Sequence, residues 1–104
     1  SGNKNLSPAE TATIVAESFF SKDKSTLKKH TTSEGYASLN TLLDMIPDTE
    51  KEIEVDILDE AVDGEATWVK YSTSYDGKPG VFKLVQEDDQ WKVTHNGPRE
   101  KGPF

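Results

Sequence analysis

At Pro47 the hydrophobic pattern of this chain changes its period, and that change governs what the chain can fold into. Upstream, apolar residues return every three or four positions. Downstream, they alternate with polar ones. The first rhythm gathers side chains on one face of a helix, the second on one face of a strand.

The helical half opens on Ser7-Pro8-Ala9-Glu10. Ser7 can accept from the free amides of a first turn, Pro8 has no N–H to leave unpaired there, and Glu10 stands where a capping box needs its carboxylate. Ala12, Val15, Ala16, Phe19 and Phe20 then recur at helical spacing, which predicts a helix to about Ser21. Asp23 is placed to cap a short second helix around Leu27 that ends near His30, with Lys28 and Lys29 suiting its carbonyl end. Thr32 or Ser33 caps a third, whose stripe is Tyr36, Leu39, Leu42, Leu43 and Ile46 and whose stop is Pro47. Gly35 weakens its first turn.

Glu52-Ile53-Glu54-Val55-Asp56-Ile57 begins the strand half, with carboxylates facing water and aliphatics facing a core. Asp63-Gly64 is a turn, Ala66 to Thr73 a Thr/Trp/Val/Tyr-rich strand, Val81 to Gln86 a third, and Gln90 to Thr94 a fourth behind the polar turn Glu87-Asp88-Asp89. The loops are too short for crossovers, so the strands are expected as an antiparallel meander. The expected class is α+β: N-terminal helices packed on a curved four-stranded meander sheet. Residues 7–95 form one domain, with a flexible leader at 1–6 and an irregular tail at 96–104. A chain of 104 residues has room for one core, and nine aromatic residues supply area that a 33% hydrophobic content otherwise lacks. The polar start without Met is expected of a trimmed chain or of a mature product from which an export signal has been removed.

Composition removes several functions. With no cysteine there is no disulfide, thiolate metal site or cysteine nucleophile. A net charge of −7 without a basic stripe argues against nucleic acid. No apolar run is long enough to span a bilayer. Phosphate loops, nucleophile elbows, HExxH and dinucleotide fingerprints are all missing, and no cofactor is expected.

The remaining candidates each have an ordinary counterpart. His30 and His95 are the only imidazoles, and neither has a triad partner nearby in sequence; both are expected at the surface or rim. Carboxylates crowd residues 44–65, but an EF-hand loop starting at Asp59 would have Ala61 and Lys70 at ligand positions, so the motif fails and a solvated strand face is expected. Lys22, Lys24, Lys28 and Lys29 make a small basic patch, expected to be a solvated helix face. Phe19, Phe20, Tyr36, Trp68, Tyr71, Tyr75 and Trp91 either line a cavity for a small apolar molecule or fill it as core. Of these, Phe19, Tyr36, Trp68, Tyr71 and Trp91 are the candidate ligand-binding residues.

Pro8-Ala9-Glu10 to Phe20, the polar break Ser21-Lys22-Asp23-Lys24, the step Thr31-Thr32-Ser33 and the closing hairpin from Phe82 to Val93, with its Trp91-Lys92-Val93, carry a resemblance. The chain resembles small exported bacterial domains of the nuclear transport factor 2-like (cystatin-like) superfamily, some of which bear a lumazine-binding label. The resemblance implies helices seated in a bent sheet and an exported, periplasmic or outer-membrane-anchored lipoprotein-type setting, with any lipid anchor upstream of residue 1. Catalytic members place an Asp or His base with Tyr or Asp donors inside the cone; Tyr36, Asp44 and His95 match no such motif. The expected function is therefore non-enzymatic binding of a small ligand or a partner protein. The alternatives are an isomerase- or dehydratase-like enzyme of the same fold and a homodimerisation module that uses the sheet.

Overall fold

The computed structural model describes residues 6–47, 52–95 and 102–104. Three helices, α1 (Pro8–Ser21), α2 (Lys24–Lys29) and α3 (Ser33–Leu43), precede four strands, β1 (Val55–Asp63), β2 (Ala66–Thr73), β3 (Pro79–Glu87) and β4 (Gln90–Thr94). The strands pair in chain order, each antiparallel to the next. This is the α+β meander read from the sequence. Residues 1–5 of the leader and 96–101 of the tail lie outside the described residues.

Local chemistry sets the helix ends. Ser7 Oγ accepts from the Glu10 amide at 3.1 Å while Glu10 Oε1 accepts from the Ser7 amide at 3.0 Å, a closed capping box. Lys22 ends α1 in the left-handed region at φ 60°, its amide turned back to Phe19 and Ser18 carbonyls. Asp23 caps α2 through the Thr26 amide and hydroxyl, and these bonds hold its carboxyl below the ordinary carboxylate range. Thr32 caps α3 through the Gly35 amide. Ile46 was expected inside α3, but the helix ends at Leu43. The amides of Met45 and Ile46 turn back only three residues, to Leu42 and Leu43. The turn before Pro47 has tightened, as a residue ahead of proline is steered out of the α region.

In β1 the register shifts between Ile57, opposite Tyr71, and Asp59, opposite Lys70. Leu58 is the extra residue of this bulge, which bends the strand and raises its twist. Up to the bulge, odd positions (Val55, Ile57) share a face with Tyr71 and Thr73; past it, Glu60 and Val62 stand opposite Val69 and Thr67. The alternation in the sequence therefore fades after Ile57, although the strand runs on to Asp63. At the far hairpin Asp88 and Asp89 both adopt positive φ, 55° and 62°. That is the pattern of the two-residue turn whose twist matches its strands, and Asp tolerates it better than most residues.

The core lies between the helices and one face of the sheet. Ala12, Val15 and Ala16 of α1, Leu27 of α2 and Leu43 of α3 meet Val69, Phe82, Leu84 and Val93. Burying each large aliphatic side chain contributes about 1.5–3 kcal/mol. A single parallel bridge, Thr31 to Val93, ties the α2–α3 junction to β4. Val93 N–H donates to the His30 carbonyl and Thr32 N–H to the Val93 carbonyl, both at 2.9 Å. The outer edge of β4 is thus occupied.

Candidate functional site

The five candidate aromatics divide between the two faces of the sheet. Phe19, Tyr36, Tyr71 and Trp91 pack against the core cluster. The Tyr71 ring stacks on Phe82 at 4.4 Å between centroids, and burial, then the nearby Asp76 charge, pushes its phenol up to about 12. Trp68 alternates with Val69 along β2 and faces away from the helices, so it cannot share a cavity with the other four. Under the helices, Val69, Leu84 and the stacked Tyr71 and Phe82 rings pack in one cluster.

Other sequence candidates resolve into structural roles. Lys22 Nζ donates to the Ile46 carbonyl at 2.7 Å and Lys24 reaches Asp44 at 3.4 Å, so half of the basic patch fastens the start of α2 to the end of α3. Asp44 is consequently on the surface. The described carboxylates between residues 52 and 65 are exposed, and among the described residues no group of acids and histidines is placed to hold a metal ion. Asp48 and Glu50 lie outside the described residues. His95 does find a hydroxyl that sequence spacing could not show: Ser38 Oγ lies 3.0 Å from its Nδ1. The pair is exposed, and no carboxylate is bonded to the ring among the described residues.

A cavity does form elsewhere, at the rim. It measures about 100 Å³ and is lined by Leu6, Thr11, His30, Gln90 and Trp91. Three elements build it. The start of α1 supplies Thr11, whose amide bonds the Ser7 carbonyl at 2.9 Å, so the capping box fixes its position. His30 ends α2, its backbone held between Leu27 on one side and Val93 on the other. Gln90 and Trp91 follow the tight Asp88-Asp89 turn and begin β4.

The Thr11 side chain carries the chemical interest. It is fully buried, and its Oγ1 has no hydrogen-bond partner. A buried hydroxyl left unpaired costs about 1–3 kcal/mol, so such atoms in folded proteins call for a reason. Every neighbouring hydroxyl on the buried helix surfaces has one: Ser18 Oγ bonds the Ile14 carbonyl at 2.7 Å and Thr31 Oγ1 the Leu27 carbonyl at 2.8 Å. His30 is held below its ordinary 6.5, first by burial and then by the positive charges of Lys29 and Lys92. At neutral pH it is an uncharged imidazole with one donor and one acceptor nitrogen. The lining therefore combines an aromatic wall, a neutral ring and an amide, with the unpaired Thr11 hydroxyl buried behind it.

The His30 shift has a consequence for stability. Its folded pKa lies below the unfolded value, so the unfolded chain binds more protons in the interval between them. Stability contributed by the neutral ring is complete above pH 6.5 and falls as the solution is acidified through that interval. Melting curves from pH 8 to 5 should show His30→Gln losing less stability on acidification than the parent chain; parallel curves would contradict this.

Sequence reading offered Trp91 as a ligand-binding residue but grouped it with the other aromatics, and it passed over Thr11 and this cavity. The available signal was spacing: Thr11, Val15 and Ser18 fall at i, i+4 and i+7, which places two hydroxyls on the buried stripe of α1.

No family model matches the sequence, and no curated protein matches it. Solved structures do. An NTF2-like protein of unknown function from Shewanella baltica superposes with a TM-score of 0.66 at 14% identity, over 84% of this chain and 85% of that one. A Campylobacter jejuni protein provisionally named an NTF2-like transpeptidase gives 0.66 at 8% identity, over 88% of this chain and 100% of that one. At these identities the shared property is the fold: helices followed by, and packed on, a four-stranded antiparallel sheet.

Proposed function

We propose that this chain uses the NTF2-like fold as a non-enzymatic binding domain, and that its ligand is a small, mostly apolar molecule carrying one hydrogen-bonding group. One observation carries the reading: Thr11, whose buried hydroxyl is unpartnered, is among the residues around a cavity that Trp91, His30, Gln90 and Leu6 also line. Binding sites are typically apolar concavities with a few placed polar groups, and this lining has that composition. At about 100 Å³ it is smaller than the dry cavity of about 150 Å³ that admits benzene, which limits the guest, or the part of it that enters, to a handful of non-hydrogen atoms. Proton-shuttling enzymes of the isomerase kind pair an acid with a base. Among the described residues this lining offers one imidazole and no carboxylate, which favours binding over turnover.

Thr11→Val separates ligand recognition from folding. Replacing an unpaired buried hydroxyl by a methyl group of the same shape removes a desolvation cost, so the variant should be about 1 kcal/mol more stable. It should also lose the ligand. Isopropanol, propionamide and isobutyrate at high millimolar concentration are suitable probes, read by melting temperature and by Trp91 emission in a chain carrying Trp68→Phe. A ligand at ten times its Kd adds about 1.4 kcal/mol, or roughly 6–10 °C in a domain of this size. The parent chain should respond to at least one probe and Thr11→Val to none. Silence of the parent chain toward all three, or an equal response from the variant, would remove the proposal.

A further inference from the structure

On the sheet face turned away from the helices, Trp68 is 3% exposed, although no helix covers it. Among the described residues, Gly102 packs closely against it. A Cβ built there would sit 2.6 Å from Cδ2 and 2.7 Å from Cε3 of the indole, so the backbone of Gly102 approaches the ring as closely as only glycine allows. Its φ of +62° adds a second reason for glycine. Two residues on, the Phe104 ring lies 6.0 Å from Lys70 Nζ, and Lys83 Nζ lies 5.7 Å from the Trp68 ring. Both are cation–π distances. Lys70 and Trp68 are i, i+2 neighbours on β2, and Lys83 stands opposite Trp68 on β3, so all three belong to one face.

We propose that this face is a peptide-docking groove, read by a glycine against Trp68 and an aromatic two residues later over Lys70, and that its resident occupant is the chain's own Gly102-Pro103-Phe104. The spacing supplies the selectivity. The indole accepts a residue without Cβ, Pro103 narrows the connecting backbone to few conformations, and the Lys70 ammonium favours an aromatic face over an aliphatic side chain. The indole Nε1 is buried and unpartnered among the described residues, so the seated segment leaves one donor unused. The groove is separated by the sheet from the Thr11 cavity, so either can fail without the other.

The test uses a chain with Trp91→Phe, in which Trp68 is the sole tryptophan, and reads acrylamide quenching of its emission. Ending this chain at Lys101 should raise the quenching constant about threefold and shift the emission to longer wavelength, with the far-ultraviolet dichroism of helices and sheet retained. Gly102→Val in the unshortened chain should do the same. Millimolar Gly-Pro-Phe, blocked at both ends, should then restore protection to the shortened chain in a saturable manner, whereas Ala-Pro-Phe should not. Unchanged quenching after shortening would overturn the clasp. Equal protection by both peptides, or by neither, would overturn the groove.

Discussion

Leu84→Ala is expected to cost about 3 kcal/mol and to lower the melting temperature by roughly 15 °C. Leu84 is fully buried on β3, opposite Thr67 of β2 and Val93 of β4, at the centre of the face that receives the helices. Removing three methyl-sized groups there forfeits their transfer free energy and leaves a void. The sheet backbone is held by ladder bonds on both sides, so little collapse can refill it. A loss below about 4 °C by calorimetry would mean that the interior under the helices is not packed around Leu84.

Gly35→Ala should be nearly as damaging, for a reason that helix propensity alone would get backwards. In an exposed helix the change gains about 1 kcal/mol. Here the new Cβ would lie 2.5 Å from the Val93 carbonyl oxygen and 3.0 Å from Thr94 Cα. Both are backbone atoms of β4, and that strand is anchored by the Thr31 bridge and by Thr32 Oγ1 donating to Thr94 Oγ1 at 3.0 Å. Overpacking of this sort costs about 3 kcal/mol, so a net loss of about 2 kcal/mol remains. Urea unfolding of the variant should show a lower midpoint with an unchanged m value; a midpoint above that of the parent would show that α3 and β4 can move apart freely.

The same residue shows what the sequence could and could not convey. Gly35 reads locally as a weak point in a first turn, because the strand that demands it lies 58 positions away. Local signals were decisive elsewhere. Ser7, Pro8 and Glu10 mark the start of α1, since a capping box involves only its own four residues, and the alternation in 52–57 fixes the buried face of β1. The end of β1 was hidden by the Leu58 bulge, which exchanges the two faces partway along the strand. Trp68 and Tyr71 look alike in composition, but odd and even positions of β2 go to opposite sides of the sheet. The rim cavity needed three elements to converge, and only the polar residues inside the α1 stripe hinted at it.

The bridge between Thr31 and Val93 also bears on how the molecule is made. A ribosome releases all three helices well before the strand that locks them, since the contacts joining the two regions are formed by residues as far as 62 positions apart. Until β4 emerges, α1 and α3 carry apolar stripes with no sheet to receive them. Folding of this chain should therefore be a late, nearly all-at-once event, paced by long loop closures and not by the rapid local winding of its front half.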